Sequence, residues 1–215
     1  MIAEFDNINY DVSELNSFAF QMLVQDCKQG LADCGIIEKP TLASMQTPLP
    51  QELLFKNLDK SQKLVYNEII TKCEQYSREN YELLSRLTYY SDIEDLNDIE
   101  FYVERTWINF QRPGEFIPVH RHSGVFSFVI WVQVPYSLTE DTGSEQFSAS
   151  KNVKGNFEFI YNDILGNLRT CRIPADKDWE GKLMIFPAEL HHQVYPFYSN
   201  DFRITVSGNI RARKR

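Results

Sequence analysis

The histidines of this chain are confined to two short stretches, and each stretch adjoins a segment with the composition of a buried β-strand. His120 and His122 form the first pair, and His191 and His192 form the second; the 215 residues contain four histidines in all. The adjoining segments, rich in β-branched and aromatic residues, are residues 126–134 and residues 182–186. Imidazole is the commonest metal ligand in proteins, so the clustering predicts a metal site where two distant strands meet.

The first histidine pair has the spacing of residues that share one face of a strand. Side chains two positions apart on a strand point to the same side of the sheet. We therefore predict a strand over residues 116–122 that directs His120 and His122 into one space. A His-x-His pair alone is frequent by chance, and the distant histidine after a second strand is what strengthens the prediction of a metal site.

An arginine lies within the apolar run that follows the second histidine pair. Arg203 belongs to a predicted strand over residues 202–207. Burying a guanidinium is costly unless it meets an anion, and a carboxylate can accept two parallel N–H···O bonds from it. The pattern favours a carboxylate-binding site, with a structural salt bridge or an exposed strand face as the alternatives.

Several motifs are spread over roughly the second half of the chain. They are Trp107-Ile108-Asn109, His120-Arg121-His122, Ser127-Phe128-Val129-Ile130-Trp131, and Phe186-Pro187-Ala188-Glu189-Leu190-His191-His192-Gln193-Val194-Tyr195-Pro196, followed by Arg203. Taken together they resemble the motifs of the 2-oxoglutarate- and Fe(II)-dependent dioxygenases, and most closely those of small bacterial and bacteriophage members. No single motif among them is specific, so the resemblance depends on their combination.

The resemblance implies a double-stranded β-helix, or jelly-roll, that holds Fe(II) in its mouth and binds 2-oxoglutarate as a cosubstrate. It implies that His120 is the first iron ligand and that His192, which precedes Val-x-Pro, is the distal one. Arg203 matches the arginine that binds the far carboxylate of 2-oxoglutarate, with Thr205 or Ser207 as its hydroxyl neighbour. The implied reaction uses molecular oxygen to hydroxylate a small-molecule or macromolecular substrate that the sequence does not identify.

The third iron ligand departs from the family pattern, which has an aspartate or glutamate two positions after the first histidine. That position is His122 here, and three readings are open. His122 is itself a ligand in a three-histidine site; or it is the first ligand and Gly124 leaves a coordination position free; or a carboxylate such as Glu115 is the third ligand. We favour the first reading. His191 is expected to face away from the metal.

Further residues are predicted to surround the site. Asn109 lies in the Trp-x-Asn motif and is a candidate cofactor-binding residue. Trp107 and Trp131 are candidate pocket residues, although core packing explains them equally well. Residues 136–143 are polar and contain glycine, which predicts a mobile loop near the mouth of the site.

Two alternative functions are also compatible with the sequence. A three-histidine jelly-roll of the cupin type can act as a dioxygenase on a thiol or small metabolite without 2-oxoglutarate, and Arg203 would then bind the substrate carboxylate. A jelly-roll can also serve as a structural or carbohydrate-binding module that lacks turnover, because a fold alone does not determine function.

The first hundred residues favour helices. We predict an amphipathic helix over residues 12–28, capped by Asp11 and ended by Gly30 and Gly35, and a second helix that begins after Asp59. The fold class is therefore α+β, with N-terminal helices packed on one sheet of a jelly-roll. In this division residues 1–100 form a helical support region for the catalytic double-stranded β-helix of residues 101–215, within one compact domain overall.

Composition and charge argue against several other classes of protein. The formal net charge of −8 disfavours general attraction to nucleic acid. The four cysteines are widely spaced and form no Cys-x-x-Cys motif, so neither a zinc site nor a disulfide framework is predicted. No apolar run reaches the ~20 residues of a membrane helix, and the first residues lack the features of a signal peptide. We therefore expect a cytoplasmic protein that does not associate with membranes.

Overall fold

A computed structural model of the protein describes residues 9–33, 52–54, 61–80, 96–137 and 153–215. These ranges contain ten strands and two α-helices. The strands are β1 (Asp11–Glu14), β2 (Glu52–Leu54), β3 (Ile99–Gln111), β4 (Ile117–His120), β5 (Phe126–Gln133), β6 (Phe157–Asn162), β7 (Leu168–Ile173), β8 (Lys182–Pro187), β9 (His191–Val194) and β10 (Arg203–Lys214). The helices are α1 (Ser17–Asp33) and α2 (Ser61–Glu79), and no described helix is long and apolar enough to cross a membrane.

The strands form two sheets in which every neighbouring pair is antiparallel. Sheet A has the order β1-β8-β5-β10-β3-β2, and sheet B has the order β4-β9-β6-β7. From β3 to β6 the chain alternates between sheet A and sheet B, and after the β6–β7 hairpin it alternates again up to β10. This alternation defines a double-stranded β-helix, so the predicted fold is confirmed.

Strand β5 lies at the centre of the core because it is buried on both faces. Its even-numbered residues from Phe126 to Val132 join the cluster that includes both helices, whereas Val129 and Trp131 join the cluster between the two sheets. A strand covered on both sides reads as a continuous apolar run, which is why residues 126–134 show no polar alternation.

The two helices pack on the outer face of sheet A, as predicted. Leu23 and Cys27 of α1 and Ile69 and Cys73 of α2 are buried in the same cluster as the outward-facing side chains of sheet A. The ring of Tyr76 meets the ring of Phe126 edge-on, with centroids 5.3 Å apart. The helices therefore support sheet A, whose strands β3, β5 and β10 form one side of the candidate functional site.

The predicted start of the first helix was wrong. Residues Asp11–Glu14 form strand β1, which pairs with β8 at the edge of sheet A, and Asp11 caps nothing. The helix begins at Ser17, where the Asn16 side chain accepts hydrogen bonds from the backbone N–H groups of the second and third following residues, at 3.0 and 3.3 Å. It also continues past Gly30 to Asp33. Pairing with β8 gives the backbone of residues 11–14 hydrogen-bond partners at the edge of sheet A.

Two other expectations concern residues outside those the structure describes. They are the position of Asp59 ahead of the second helix and most of the loop of residues 136–143. Strand β2, which pairs with β3 at the other edge of sheet A, was not predicted from the sequence.

Substituting the observed cap residue should destabilise the protein more than substituting the predicted one. We expect Asn16→Ala to lower the free energy of unfolding by about 1 kcal/mol, because two backbone N–H groups lose their acceptor. Asp11→Ala should change it by less than about 0.5 kcal/mol. Urea denaturation of the two variants measures both values, and a larger loss for Asp11→Ala would contradict the observed helix start.

Candidate metal centre

A cavity of about 240 Å³ lies between the two sheets, and residues from β3, β4, β5, β6, β9 and β10 line it. All the site residues predicted from the sequence line this cavity: His120, His122, His192, Arg203, Thr205, Ser207 and Asn109. The aromatic part of the wall includes Trp107, Phe116, Trp131 and Phe157. The cavity therefore combines a polar surface for small anionic or metal ligands with an apolar enclosure.

His120 and His192 are brought together by strand pairing. His120 ends β4 and His192 lies in β9, and the two are direct partners in the antiparallel register. Their ring centroids are 4.2 Å apart. Direct cross-strand neighbours have their Cβ atoms about 4.5–5.5 Å apart, so the backbone alone places these imidazoles side by side.

Backbone carbonyls determine the tautomer of both of these histidines. Nδ1 of His120 donates to the Pro118 carbonyl at 2.8 Å, and Nδ1 of His192 donates to the Leu190 carbonyl at 2.9 Å. A carbonyl oxygen only accepts, so Nδ1 carries the proton in each neutral ring. The lone pair is then on Nε2, which is the arrangement usual for histidines that bind a metal.

His122 reaches the same place from a loop. The predicted strand over residues 116–122 was too long at both ends, because β4 spans Ile117–His120. The backbone N–H of His122 donates to the Ala188 carbonyl at 2.9 Å, which ties the loop to the end of β8. The ring packs 5.4 Å from Trp107, centroid to centroid. The rings of His120 and His122 therefore converge because the loop is anchored at Ala188, and not because the two residues share one face of a strand.

The turn after His122 depends on a glycine. Gly124 has a φ of +117°, and a Cβ there would lie 2.7 Å from the Ile210 carbonyl oxygen of β10. Only glycine accommodates both the backbone angle and the close approach. Gly124 therefore lets the chain turn from the histidine loop into β5.

The three imidazoles form a compact set of potential metal ligands. One ring nitrogen from each of His120, His122 and His192 lies within 4.8 Å of the others. Two nitrogens bound to one metal at about 2.1 Å each are at most ~4.2 Å apart, so a small inward rotation of the rings suffices to bind an ion. The donor set fits a divalent transition metal.

The protein environment keeps two of these rings neutral at physiological pH. Burial, reinforced by the neighbouring His120, lowers the pKa of His122 to about 4. Burial, again reinforced by His120, lowers the pKa of His192 to about 3. Neutral imidazoles offer the lone pair that a metal ion requires.

The other candidates for the third ligand are placed differently. The carboxylate of Glu115 lines the cavity and accepts a hydrogen bond from the backbone N–H of Arg112 at 2.8 Å, and the compact set of ligand atoms does not include it. His191 is exposed on the opposite face of β9 from His192. Within the described residues, the atoms that converge are those of the three histidines.

Arg203 is buried at the start of β10, and neutral groups surround it. Its Nη1 donates to the Tyr136 hydroxyl at 2.9 Å and to the Gly155 carbonyl at 2.8 Å, and its Nη2 donates to the Gln111 side-chain oxygen. The guanidinium also lies over the Phe197 ring, 5.5 Å from its centroid. In the part of the chain that the structure describes, these contacts leave the positive charge without an anion.

Thr205 and Ser207 follow Arg203 along the same face of β10. The side-chain amide of Asn109, on the adjacent strand β3, donates to the Thr205 hydroxyl at 3.2 Å and to the Ser207 hydroxyl at 3.1 Å. These three side chains make a polar strip on the wall of the cavity that continues from the guanidinium. The strip follows from strand alternation, since every second residue of β10 faces inward.

Sequence analysis missed the residues that hold Arg203. Gln111 ends β3, and the sequence of that strand did not indicate which of its residues face the cavity. Gly155 precedes β6, and no recognisable sequence motif surrounds it. Tyr136 was assigned to a mobile loop, but it is buried and its ring stacks on Phe197 at 5.1 Å. An aromatic residue directly after Val134 and Pro135, at the end of a fully apolar strand, is the signal that could have identified it.

Comparison with known proteins agrees with this geometry. A family model described as "Putative 2OG-Fe(II) oxygenase" matches residues 105–209, just under half of the chain, and the match includes all the cavity residues named above from Trp107 to Ser207. No curated protein matches the chain.

Solved structures with the same fold include several oxygenases. A prolyl-4-hydroxylase from Pseudomonas putida has a TM-score of 0.52 and 13% identity, covering 97% of this chain and 94% of that chain. The non-heme alpha ketoglutarate dependent carbocyclase SnoK from nogalamycin biosynthesis has a TM-score of 0.57 and 9% identity, covering 97% and 82%. EctD from S. alaskensis, solved with 2-oxoglutarate and 5-hydroxyectoine, has a TM-score of 0.50 and 14% identity, covering 98% and 73%. At these identities the likeness is one of fold.

The lowered pKa values predict that acid destabilises the metal-free protein. Histidine in an unfolded chain has a pKa of about 6.5, whereas burial in the folded chain lowers the pKa of His122 to about 4 and the pKa of His192 to about 3. Between these limits the unfolded state binds more protons, so stability is lost as the pH falls from about 6.5 toward about 4. We expect Tm to be at least about 4 °C lower at pH 5 than at pH 7.5.

Differential scanning calorimetry in the presence of a chelator measures this change. The double variant His122→Gln/His192→Gln is the control. Its Tm should fall by less than that of the wild type between pH 7.5 and pH 5. Equal acid sensitivity in the wild type and the double variant would contradict the assignment of neutral, buried imidazoles.

Proposed function

We propose that the chain is a 2-oxoglutarate- and Fe(II)-dependent oxygenase, as the family model over residues 105–209 supports, and that it hydroxylates a substrate at an iron ion held by His120, His122 and His192. We further propose that Arg203 binds the far carboxylate of 2-oxoglutarate. The observation that carries the proposal is the presence, in one cavity, of three convergent imidazoles and a buried guanidinium whose described partners are all neutral.

The histidines supply three neutral donors and leave the rest of the coordination sphere to ligands from solution. When iron and 2-oxoglutarate are bound, they supply the oxygen activation that the reaction requires. The chain's own part is to hold the ligand rings still. The Pro118 and Leu190 carbonyls do so for His120 and His192 through the Nδ1 protons, and the Trp107 ring limits rotation of His122.

Hydrogen-bond counting supports the role of Arg203. A guanidinium has five N–H donors, and three of them are engaged with Tyr136, Gly155 and Gln111. The two that are left suffice for a carboxylate to bind through two parallel hydrogen bonds. Thr205 and Ser207, held by the amide of Asn109, offer hydroxyl groups along the same wall.

Charge balance also favours 2-oxoglutarate at a three-histidine site. Three neutral imidazoles leave the two positive charges of Fe(II) uncompensated, Arg203 adds a third positive charge, and the Glu115 carboxylate that lines the same cavity offsets one of the three. A ligand with two carboxylates compensates two of these charges in a poorly solvated space, where unpaired charge is costly. His122 in place of a carboxylate is thus compatible with the cosubstrate.

The apolar wall is proposed to exclude water and to receive the substrate. Trp107, Trp131 and Phe157 line the cavity, and Phe116 lies at its rim with 49% of its surface exposed. The substrate, a small molecule or a macromolecule other than nucleic acid, would approach over this rim. We also propose a cytoplasmic location, which the free thiols of Cys27, Cys73 and Cys171 support.

A second candidate function follows from His122. A three-histidine site of the cupin type oxidises its substrate directly, and Arg203 would then bind the carboxylate of the substrate instead of 2-oxoglutarate. The two candidates share the metal ligands and differ in the cosubstrate, so 2-oxoglutarate binding discriminates between them.

Titration of the iron-loaded protein with 2-oxoglutarate tests the cosubstrate. Under anaerobic conditions we expect the visible charge-transfer band of an iron–2-oxoacid chelate. Arg203→Ala should raise the Kd of 2-oxoglutarate at least about tenfold, because each lost charge-assisted hydrogen bond contributes roughly 1.5–3 kcal/mol. Arg169→Ala, which removes an exposed arginine paired with Asp163, is the matched control and should bind normally. Iron binding with no band at any 2-oxoglutarate concentration would favour the second candidate.

Two adjacent histidines offer a matched test of the metal ligands. We expect His192→Ala to lose iron binding, because it removes one of three donors, whereas His191→Ala should retain it, because that side chain is exposed on the opposite face of β9. Isothermal titration with Fe(II) under anaerobic conditions measures both affinities. Loss of binding in His191→Ala with retention in His192→Ala would show that the ligand assignment is wrong by one residue.

A further inference from the structure

We propose that Gln111 is a positioning residue whose neutral amide keeps the charge of Arg203 available for the cosubstrate. The inference rests on the proposed function, because it assumes that Arg203 binds 2-oxoglutarate. It adds that the neutrality of the groups around Arg203, and not only their position, is what makes the site bind an anion.

Gln111 bridges Arg203 and the turn that follows β3. Its side-chain oxygen accepts from Nη2 of Arg203, and its side-chain nitrogen donates to the Glu115 carbonyl at 2.5 Å. Gln111 is also the direct cross-strand partner of Arg203 in the pairing of β3 with β10. With only 4% of its surface exposed, the amide has both of its ends engaged and has one orientation that satisfies them.

The other side of the guanidinium is held just as firmly. Nη1 of Arg203 bonds to the Tyr136 hydroxyl and the Gly155 carbonyl, and the same hydroxyl donates to the same carbonyl at 3.0 Å. Gly155 has a φ of +65°, and a Cβ there would overlap the Tyr136 ring. Phe197, which is fully buried, stacks on that ring. These contacts prevent the guanidinium from turning toward another partner.

All three hydrogen-bond partners of this buried cation are neutral. A glutamate at position 111 would have nearly the same shape as glutamine, and it would form an ion pair with Arg203 in a poorly solvated space. Such pairs are strong once formed, because breaking one leaves an unpaired buried charge. The carboxylate of an incoming cosubstrate would then have to compete with an internal carboxylate. Glutamine at this position holds the guanidinium without neutralising it.

A rigidly held guanidinium also has a consequence for selectivity. The distance between the three imidazoles and the guanidinium is constant when Arg203 cannot move. The site should therefore distinguish 2-oxo diacids by the length of their carbon chain. Removing the amide of Gln111 would free one side of the guanidinium. We therefore expect a variant without that amide to discriminate less well between 2-oxoglutarate and 2-oxoadipate, which is one methylene longer.

The test compares Gln111→Glu with Gln111→Met by isothermal titration of iron-loaded protein with 2-oxoglutarate and 2-oxoadipate in the absence of oxygen. Gln111→Glu should raise the Kd of 2-oxoglutarate at least about tenfold, and a cooperative thermal melt without metal checks that the variant folds although its carboxylate faces the Glu115 carbonyl. Gln111→Met keeps the shape without charge, and it should raise this Kd less and reduce the Kd ratio of the two diacids. Gln75→Glu, on the exposed face of α2, is the control for added charge and should bind as the wild type does.

The outcomes separate the inference from the proposed function. Two outcomes would overturn the role of neutrality and leave the proposed function intact. In the first, Gln111→Glu binds 2-oxoglutarate as tightly as the wild type does. In the second, Gln111→Glu and Gln111→Met weaken binding equally. Absence of 2-oxoglutarate binding by the iron-loaded wild type would overturn the proposed function itself.

Discussion

The antiparallel pairing of β4 with β9 is the interaction on which the site depends. It sets His120 opposite His192, and the carbonyls two residues before each histidine direct the two rings. The pairing in turn requires the jelly-roll, because β4 and β9 are brought together only when the chain alternates between the two sheets. The long aromatic strand β5 and the helices behind it hold sheet A in position, so the end of the cavity that carries the three imidazoles depends on the packing of both sheets and both described helices.

The charge distribution inside the cavity is compatible with the proposed three-histidine iron site. Burial keeps His122 and His192 neutral, and Arg203 is surrounded by the neutral groups of Gln111, Tyr136 and Gly155. The described partners of Arg203 therefore leave its charge available to an incoming anion. Under the proposed function, a dicarboxylate would compensate charge at both the metal and Arg203.

Sequence reasoning found the strands and the histidines because both leave strong patterns. Buried strands read as apolar runs, and a chain with few histidines makes their grouping conspicuous. It failed where tertiary contacts override local pattern. Residues 11–14 form an edge strand because β8 offers them hydrogen bonds, and His122 leaves the strand because Ala188 anchors its loop. The neutral partners of Arg203 come from three separate segments, and such a convergence has no signature in a single sequence.

X-ray absorption at the iron edge of the Fe(II)-loaded protein tests the proposed three-histidine centre most directly. We expect the scattering to require three imidazole ligands in the wild type and two in His122→Ala. A wild-type spectrum fitted by two imidazoles and a carboxylate, unchanged in His122→Ala, would contradict the three-histidine centre.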